Sequence, residues 1–355
     1  MSPLHDILAR LIRAHGPMTV SDFMADCLMH PKHGYYQREK VFGVEGDFTT
    51  APEISQLFGE MIGVWLIDQW QTLGSPCSFN LVELGPGRGT LMLDILRAAK
   101  STPKFLSAAK IFFVERSAQL KAEQKKRVPH ANWLKDVDAL YPGPTIVIAN
   151  EFFDALPIHQ FQKHDGQWLE RLIGLDEDDN LVWKLGAPSG ALSLMPTTLK
   201  YQGQGSVVEI CPAALRISGL IAEHIAKNRG AALLIDYGYD KSAVGNTLQA
   251  LKDHTYVDPL KEVGKADLTA HVNFDMIANA AAQKGVVAHG PTGQGTFLMS
   301  IGLGQRAMKL VENLDAAGQE DLLTSIKRLT APDQMGELFR VLAMVNAEQK
   351  SVVGF

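Results

Sequence analysis

The sequence predicts an α/β fold, a Rossmann-like doubly wound sheet, on three observations. From residue 79 onward, short apolar runs alternate with segments of helical periodicity. Those runs are apolar on both faces, as strands buried inside a parallel sheet are. A glycine-rich turn joins the first run to the helix that follows it, where such folds bind their ligands.

Ahead of this pattern, residues 4 to 15 carry Leu4, Ile7, Leu8, Leu11 and Ile12 at helical spacing, and Gly16-Pro17 ends that helix. A second helix fits 19 to 29, with Thr19 or Ser21 as its N-cap. Residues 30 to 52 have no period and read as an ordered loop, the kind of segment that carries function. Residues 54 to 73 are helical again; Trp65 and Trp70 fall on the apolar face and are read as core rather than as a partner surface.

The strand candidates are Phe79 to Leu84, Lys110 to Glu115, Thr145 to Asn150 and Ala231 to Asp236, with helices at 90 to 99, 117 to 127 and 213 to 227. Between the last two strands, segments at 158–161, 168–175 and 181–185 are separated by Asp, Gly and Asn turns, which predicts a small antiparallel subdomain inserted at about 158–210. Residues 237 to 269 read as loop-rich, 273 to 284 as a helix, and 305 to 330 as a terminal helical pair. Val286-Val287-Ala288 and Phe297 to Ile301 are expected to close the sheet as a hairpin through Gly290, Gly293 and Gly295. The division expected is a helical cover over 1–75 and an α/β domain over 76–355.

Composition narrows the partners. The 355 residues are 46% hydrophobic and 21% charged with a net charge of -5, and no basic block marks a phosphate backbone as partner. Cys27, Cys77 and Cys211 are the three cysteines, with no C-x-x-C or Cys/His spacing, so neither a disulfide framework nor a zinc site is expected. No signal pattern opens the chain and no apolar run reaches the roughly 18 residues of a membrane helix, so a cytoplasmic protein is expected, or a mitochondrial matrix one if a transit peptide is missing. The oligomeric state stays open, a homodimer included.

The chemistry concentrates at Glu83-Leu84-Gly85-Pro86-Gly87-Arg88-Gly89-Thr90. A strand-to-helix glycine turn brings backbone close to a ligand, although glycines alone also make a plain tight turn. Two carboxylates add to it: Glu83 before the first glycine, and Glu115 at the end of the next strand, where acid oxygens bind a ribose diol. Asp136 and Val137, after the third strand region, are expected at an adenine. An acid directly before the loop suits a cationic amino-acid moiety, whereas a dinucleotide would set its anionic pyrophosphate there. S-adenosyl-L-methionine is therefore the cofactor expected, bound by Glu83, Gly85, Pro86, Gly87, Gly89, Thr90, Glu115, Asp136, Val137, Asn150 and Thr50. Glu115 could instead cap the helix after it, and Asp136 could be a solvated turn residue. A carboxylate in an apolar strand, as at Glu83, costs several kcal/mol unless it is paired or ligand-bound.

On longer motifs the chain resembles the MidA family of class I methyltransferases. They are His30-Pro31-x-x-Gly34-Tyr35-Tyr36, the stretch Gly46-Asp47-Phe48-Thr49-Thr50-Ala51-Pro52-Glu53-Ile54-Ser55-Gln56-x-Phe58-Gly59-Glu60, the glycine loop, Asn150-Glu151-Phe152-Phe153-Asp154-Ala155-Leu156-Pro157, Asp236-Tyr237-Gly238, and Asp267-Leu268-Thr269-Ala270-His271-Val272-x-Phe274. The resemblance implies a seven-stranded core, S-adenosyl-L-methionine as cofactor, and arginine N-methylation of a quinone-module subunit of respiratory complex I. A non-catalytic assembly chaperone that keeps the cofactor pocket and a small-molecule methyltransferase are the alternatives.

An arginine substrate calls for carboxylates, because guanidinium stays charged and pairs with acids through forked hydrogen bonds. Glu151 and Asp154, just past the strand ending at Asn150, are the acids expected to bind it, against the alternative that they shape a turn. His271 is a candidate base or substrate contact, and Glu53, with Asp47 and Thr50, belongs to a segment expected to fold over the crevice. Alternatively, Pro52-Glu53 only begins a helix.

Overall fold

Six consecutive buried residues, Phe79–Leu84, form strand β1; β2 follows at Ala109–Val114, β3 at Asn132–Leu134, β4 at Thr145–Asn150 and β5 at Gly230–Tyr239, of which β4 and β5 repeat its buried run. The structure is a computed structural model and describes residues 2–37 and 50–355. These five strands are parallel, in the order β3-β2-β1-β4-β5. Two more close the sheet: β6 at Val286–Gly293 and β7 at Phe339–Asn346, with β7 antiparallel between β5 and β6. The two-residue strand Val272–Asn273 adds to the end of β5. Because β1 pairs with β2 on one side and β4 on the other, the chain reverses direction across the sheet there, and the crevice of a doubly wound fold opens beyond its carboxyl end. This is the class I methyltransferase fold.

The helix Gln56–Thr72 lies against the helix Thr90–Ala98. Glycines allow the approach: a Cβ on Gly59 would lie 2.5 Å from Cβ of Asp94, and one on Gly63 3.1 Å from Cβ of Ala98. Trp65 and Trp70 are buried in the core of this unit, as their spacing predicts, and their indoles donate to the carbonyls of Val353 and Pro76.

The expected closing hairpin is corrected. Residues Gln294–Ser300 form a helix. Gln294, Phe297, Leu298 and Ile301 are buried at a helical period, with Gly295 buried beside Gln294. The true partner strand is β7, which sequence reading left unassigned. The loop-rich stretch is corrected as well: Gln249–Lys252, Thr255–Val257 and Asp267–Thr269 form a three-stranded antiparallel sheet. The hairpin turn is Asp253-His254, with φ of 48° and 58°, a conformation usually signalled by Asn-Gly.

The chain divides into two units. Residues 50–153, Ile217–Asp240 and Val272–Phe355 make the unit just described. The other comprises residues 2–37, Asp154–Arg216 and Lys241–His271. It contains the three-stranded sheet and the expected inserted subdomain, a five-stranded antiparallel sheet in which Gln167–Leu175 pairs with Met18–Thr19, His159–His164 and Leu181–Gly186. Its core includes Leu4, Leu8, Val20 and Phe23 from the first two helices and Ile158 and Ile173 from the sheet. Thr19 is the N-cap of the second helix. The first 75 residues are thus shared: the helices Pro3–His15 and Val20–Met29 belong to one unit, and Gln56–Thr72 to the other.

Candidate functional site

At the end of β1 the loop turns on three glycines with positive φ, 59° at Gly85, 52° at Gly87 and 83° at Gly89. A side chain is excluded at the first, since a Cβ on Gly85 would lie 2.7 Å from Cδ2 of Phe152. Pro86 lends its carbonyl to the turn, accepting from the amide of Gly89 at 2.7 Å. Thr90 then starts the helix, with Gly89 as its N-cap and no side chain capping its first amides.

Behind the loop, Glu83 is 3% exposed and its Oε2 has no hydrogen-bond partner among the described residues. Burial pushes its pKa up to about 8. A buried carboxyl with an unsatisfied oxygen is the costliest polar group in this strand.

Glu115 follows β2. Its Oε1 accepts from the amides of Arg116 and Ser117, both at 2.7 Å, in the turn ahead of the helix Ala118–Arg127, whose N-cap is Ser117. Its Oε2 faces Nε2 of Gln124 at 3.3 Å. Burial raises its pKa, opposed by those hydrogen bonds. Asp136 accepts from the amide of Val137 through Oδ1 at 2.7 Å and pairs with Arg116 through Oδ2 at 3.0 Å, while Val137 is buried beside it. Glu115 thus holds the turn ahead of its helix rather than capping it, whereas Asp136 caps the short 3-10 turn Val137–Ala139.

A second cluster meets the loop from β4. Asn150 ends the strand, and Glu151 adopts φ of 51°, a left-handed conformation uncommon for a residue with a side chain. Oε1 of Glu151 accepts from the Asn150 side chain at 3.0 Å and from the amide of Ala51 at 3.1 Å. Oδ1 of Asn150 is buried without a partner among the described residues. Ala51 opens the short helix Ala51–Ile54, for which Thr50 is the N-cap residue. Glu53 in that helix accepts from Oγ1 of Thr90 at 2.7 Å and lies 3.8 Å from the Arg88 guanidinium. One unit thus brings together Thr50, Glu53, Glu83, the glycine loop, Glu115, Asp136, Asn150 and Glu151. Asp47, with the rest of residues 46–49 in the longest motif, lies outside the described residues.

Asp154 and His271 belong to the other unit. There the backbone joins their segments, the amide of Ala270 donating to the carbonyl of Asp154 at 3.0 Å. The amide of His271 donates to Oγ1 of Thr247 at 2.9 Å, and that hydroxyl donates to the buried carboxylate of Glu209. Burial lowers the His271 pKa, which leaves a neutral imidazole at pH 7.

Two residues of the first unit escaped sequence reading. Asp236, fully buried at the end of β5, accepts from the amides of Phe152 at 3.1 Å, Phe153 at 2.9 Å and Tyr237 at 3.0 Å, and so fixes the turn that carries Glu151. Sequence reading carried it only as part of a motif. Gln124, fully buried, donates to the carbonyl of Gly87 at 2.8 Å. No signal short of the fold distinguishes that glutamine from its solvated helical neighbours.

Comparison with known proteins bears on this geometry. Residues 61–292 match the family described as "Putative S-adenosyl-L-methionine-dependent methyltransferase". The mitochondrial protein arginine methyltransferase NDUFAF7 homologue of Drosophila melanogaster is 37% identical over 99% of this chain and 89% of its own length. Its Homo sapiens counterpart is 35% identical over 97% and 84%. A Burkholderia thailandensis protein solved bound to S-adenosyl-homocysteine superposes with a TM-score of 0.88 at 26% identity, covering 99% of this chain and 94% of that one.

Proposed function

Because the chain belongs to this family of S-adenosyl-L-methionine-dependent methyltransferases, we propose that it methylates a guanidinium nitrogen of an arginine in a protein substrate. Glu83 is the observation that carries the cofactor half of this reading. A buried carboxyl with an unsatisfied oxygen, two residues before the first of the left-handed glycines, fits the cationic amino group of the methionine moiety. Oε2 of Glu115 keeps capacity for ribose hydroxyls after Oε1 has bound the amides of Arg116 and Ser117. The loop backbone from Gly85 to Gly89, with Thr90 and Pro86, lines the methionine part; Val137 offers an apolar contact for the adenine, with Asp136 holding the backbone there; Asn150 and Thr50 border the reacting end.

S-adenosyl-L-methionine supplies an electrophilic methyl group on a sulfonium, open to in-line displacement. The protein's own task is to bind and orient the nucleophile, exclude water and take up a proton. Glu151 and Asp154 are the acids that would hold the guanidinium, the first on a turn that Asp236 fixes. Glu53 ties the short helix Ala51–Ile54 to Thr90 and so shapes the reacting end. His271, neutral at pH 7, is the candidate to accept the proton released as the nitrogen is alkylated. The arginine reading is supported by relatives named as protein arginine methyltransferases at 34–37% identity over nearly the whole chain. Following the family resemblance, the substrate proposed is a quinone-module subunit of respiratory complex I.

The test is incubation of the purified protein with methyl-labelled S-adenosyl-L-methionine and an extract of cells containing complex I. A labelled protein band that yields methylarginine on hydrolysis is expected. Label confined to small molecules would overturn the substrate class, and cofactor binding without any label would point to an assembly chaperone.

A further inference from the structure

Gln124 stands out in the helix Ala118–Arg127, whose sequence AQLKAEQKKR is otherwise solvated: it is the fully buried residue of that helix. Burying an amide is costly unless every polar atom finds a partner. Here each does. Oε1 accepts from the indole Nε1 of Trp133 at 2.7 Å, which fixes the amide's orientation. Nε2 must then point the other way, and its two hydrogens serve the carbonyl of Gly87 at 2.8 Å and Oε2 of Glu115 at 3.3 Å. The loop also packs on this residue, since a Cβ on Gly89 would sit 3.6 Å from its Cα, at ordinary contact distance.

These contacts join two parts of the cofactor seat that belong to different strands. Gly87 lies in the loop after β1, and Glu115 follows β2. We propose that Gln124 is a positioning residue that locks the glycine loop to Glu115, so that the amino-acid end and the ribose end of the cofactor meet a seat of fixed spacing. The inference rests on reading the loop as the cofactor site. It deepens that reading, because Gln124 touches the cofactor only through Gly87 and Glu115.

A charge of the wrong sign at this position provides the test. Q124E keeps the acceptor for Trp133 but sets a carboxylate against both the Gly87 carbonyl and the Glu115 carboxylate. S-adenosyl-homocysteine affinity is measured by calorimetry from pH 5.5 to 8.5 for the wild-type chain, Q124E and Q124M. At pH 8 both variants should bind about ten- to a hundredfold more weakly, the range for losing hydrogen bonds to a charged group. As the pH falls, Q124E should recover, because a proton shared between the new carboxyl and Glu115 restores a bridging donor. Q124M should stay weak relative to the wild-type chain throughout; wild-type affinity itself should decline as the pH falls, because Glu83 takes up the proton that binding releases, so the recovery of Q124E is read against the wild-type chain at each pH. Acid recovery is the readout that loosened packing would not produce. Wild-type affinity in Q124E across the range, or a deficit that acid does not relieve, would overturn the assignment. If Q124E does not fold, undiminished affinity in Q124M overturns it equally. A wild-type chain that fails to bind S-adenosyl-homocysteine would instead sink the cofactor reading, and this inference with it.

Discussion

Glu83 sets a proton linkage that calorimetry reads directly. Burial pushes its pKa from 4.5 to about 8, so at pH 7 about nine-tenths of a proton resides on this carboxyl. An amino group arriving at Oε2 favours the carboxylate, and binding should drive that proton off. Titration of S-adenosyl-homocysteine at pH 7 in two buffers of different ionisation enthalpy should therefore show release of about 0.5 to 0.9 proton, vanishing above about pH 9. Glu83→Gln, of the same shape but unable to titrate, should show none and bind more weakly. The same shift acts on stability. Its pKa is higher in the folded state than in the unfolded one, so the contribution is fully present below pH 4.5 and is lost as the pH rises toward about 8. With each unit worth about 1.4 kcal/mol, the ligand-free protein should lose on the order of 3 to 5 kcal/mol across that window. Urea unfolding at pH 5, 7 and 8.5 checks this, and Glu83→Gln should flatten the curve. Equal proton release in the two proteins, or a wild-type stability indifferent to pH, would refute the placement of an unpaired acid behind the loop.

Other residues yield sharper local outcomes. Gly85→Ala forces a Cβ to within 2.7 Å of Phe152 at a φ of 59°, and should cost about 1 to 3 kcal/mol of stability and most of the S-adenosyl-homocysteine affinity; Gly16→Ala, also at positive φ but facing open space, is the control that should leave binding intact. Asp236→Asn replaces one accepting oxygen with a donor beside backbone amides, and should lower kcat for protein methylation while KM for the cofactor stays within about threefold, checked by steady-state kinetics. Glu151→Gln should likewise spare cofactor binding and cut methylation; a variant unaltered in both would remove Glu151 from the substrate acids. The His271 pKa is lowered by burial, so its contribution to stability is lost as the pH falls below about 6.5; His271→Gln should reduce acid sensitivity in urea unfolding between pH 7 and 5.

The sheet was legible because its central strands are buried on both faces and show as unbroken apolar runs. The failures have a common cause. Phe297 to Ile301 is too short a run for its period to separate strand from helix, and the decisive fourth position is a glutamine, Gln294, buried because its amide donates to the carbonyl of Leu329 at 2.9 Å. Asp253-His254 makes a hairpin turn without glycine or asparagine, so the segment around it read as loop. In both places a polar residue takes a role that apolar patterning cannot express.

The same holds in the site. Sequence reading found acids wherever a motif put them, yet set ligand binding against helix capping for Glu115, and against a solvated turn for Asp136, as rival roles. A carboxylate has two oxygens, and the structure divides them. In Glu115 the amides of Arg116 and Ser117, ahead of the helix, take Oε1 and leave Oε2 toward Gln124, so the turn orients the oxygen that remains. In Asp136 the Val137 amide takes one oxygen and Arg116 the other, so contact with an adenine would have to compete with a half-exposed ion pair worth little in water. The proposed cofactor recognition therefore rests on Glu115 ahead of Asp136, because the oxygen that Glu115 keeps for a ribose is the one that the Gln124 amide orients.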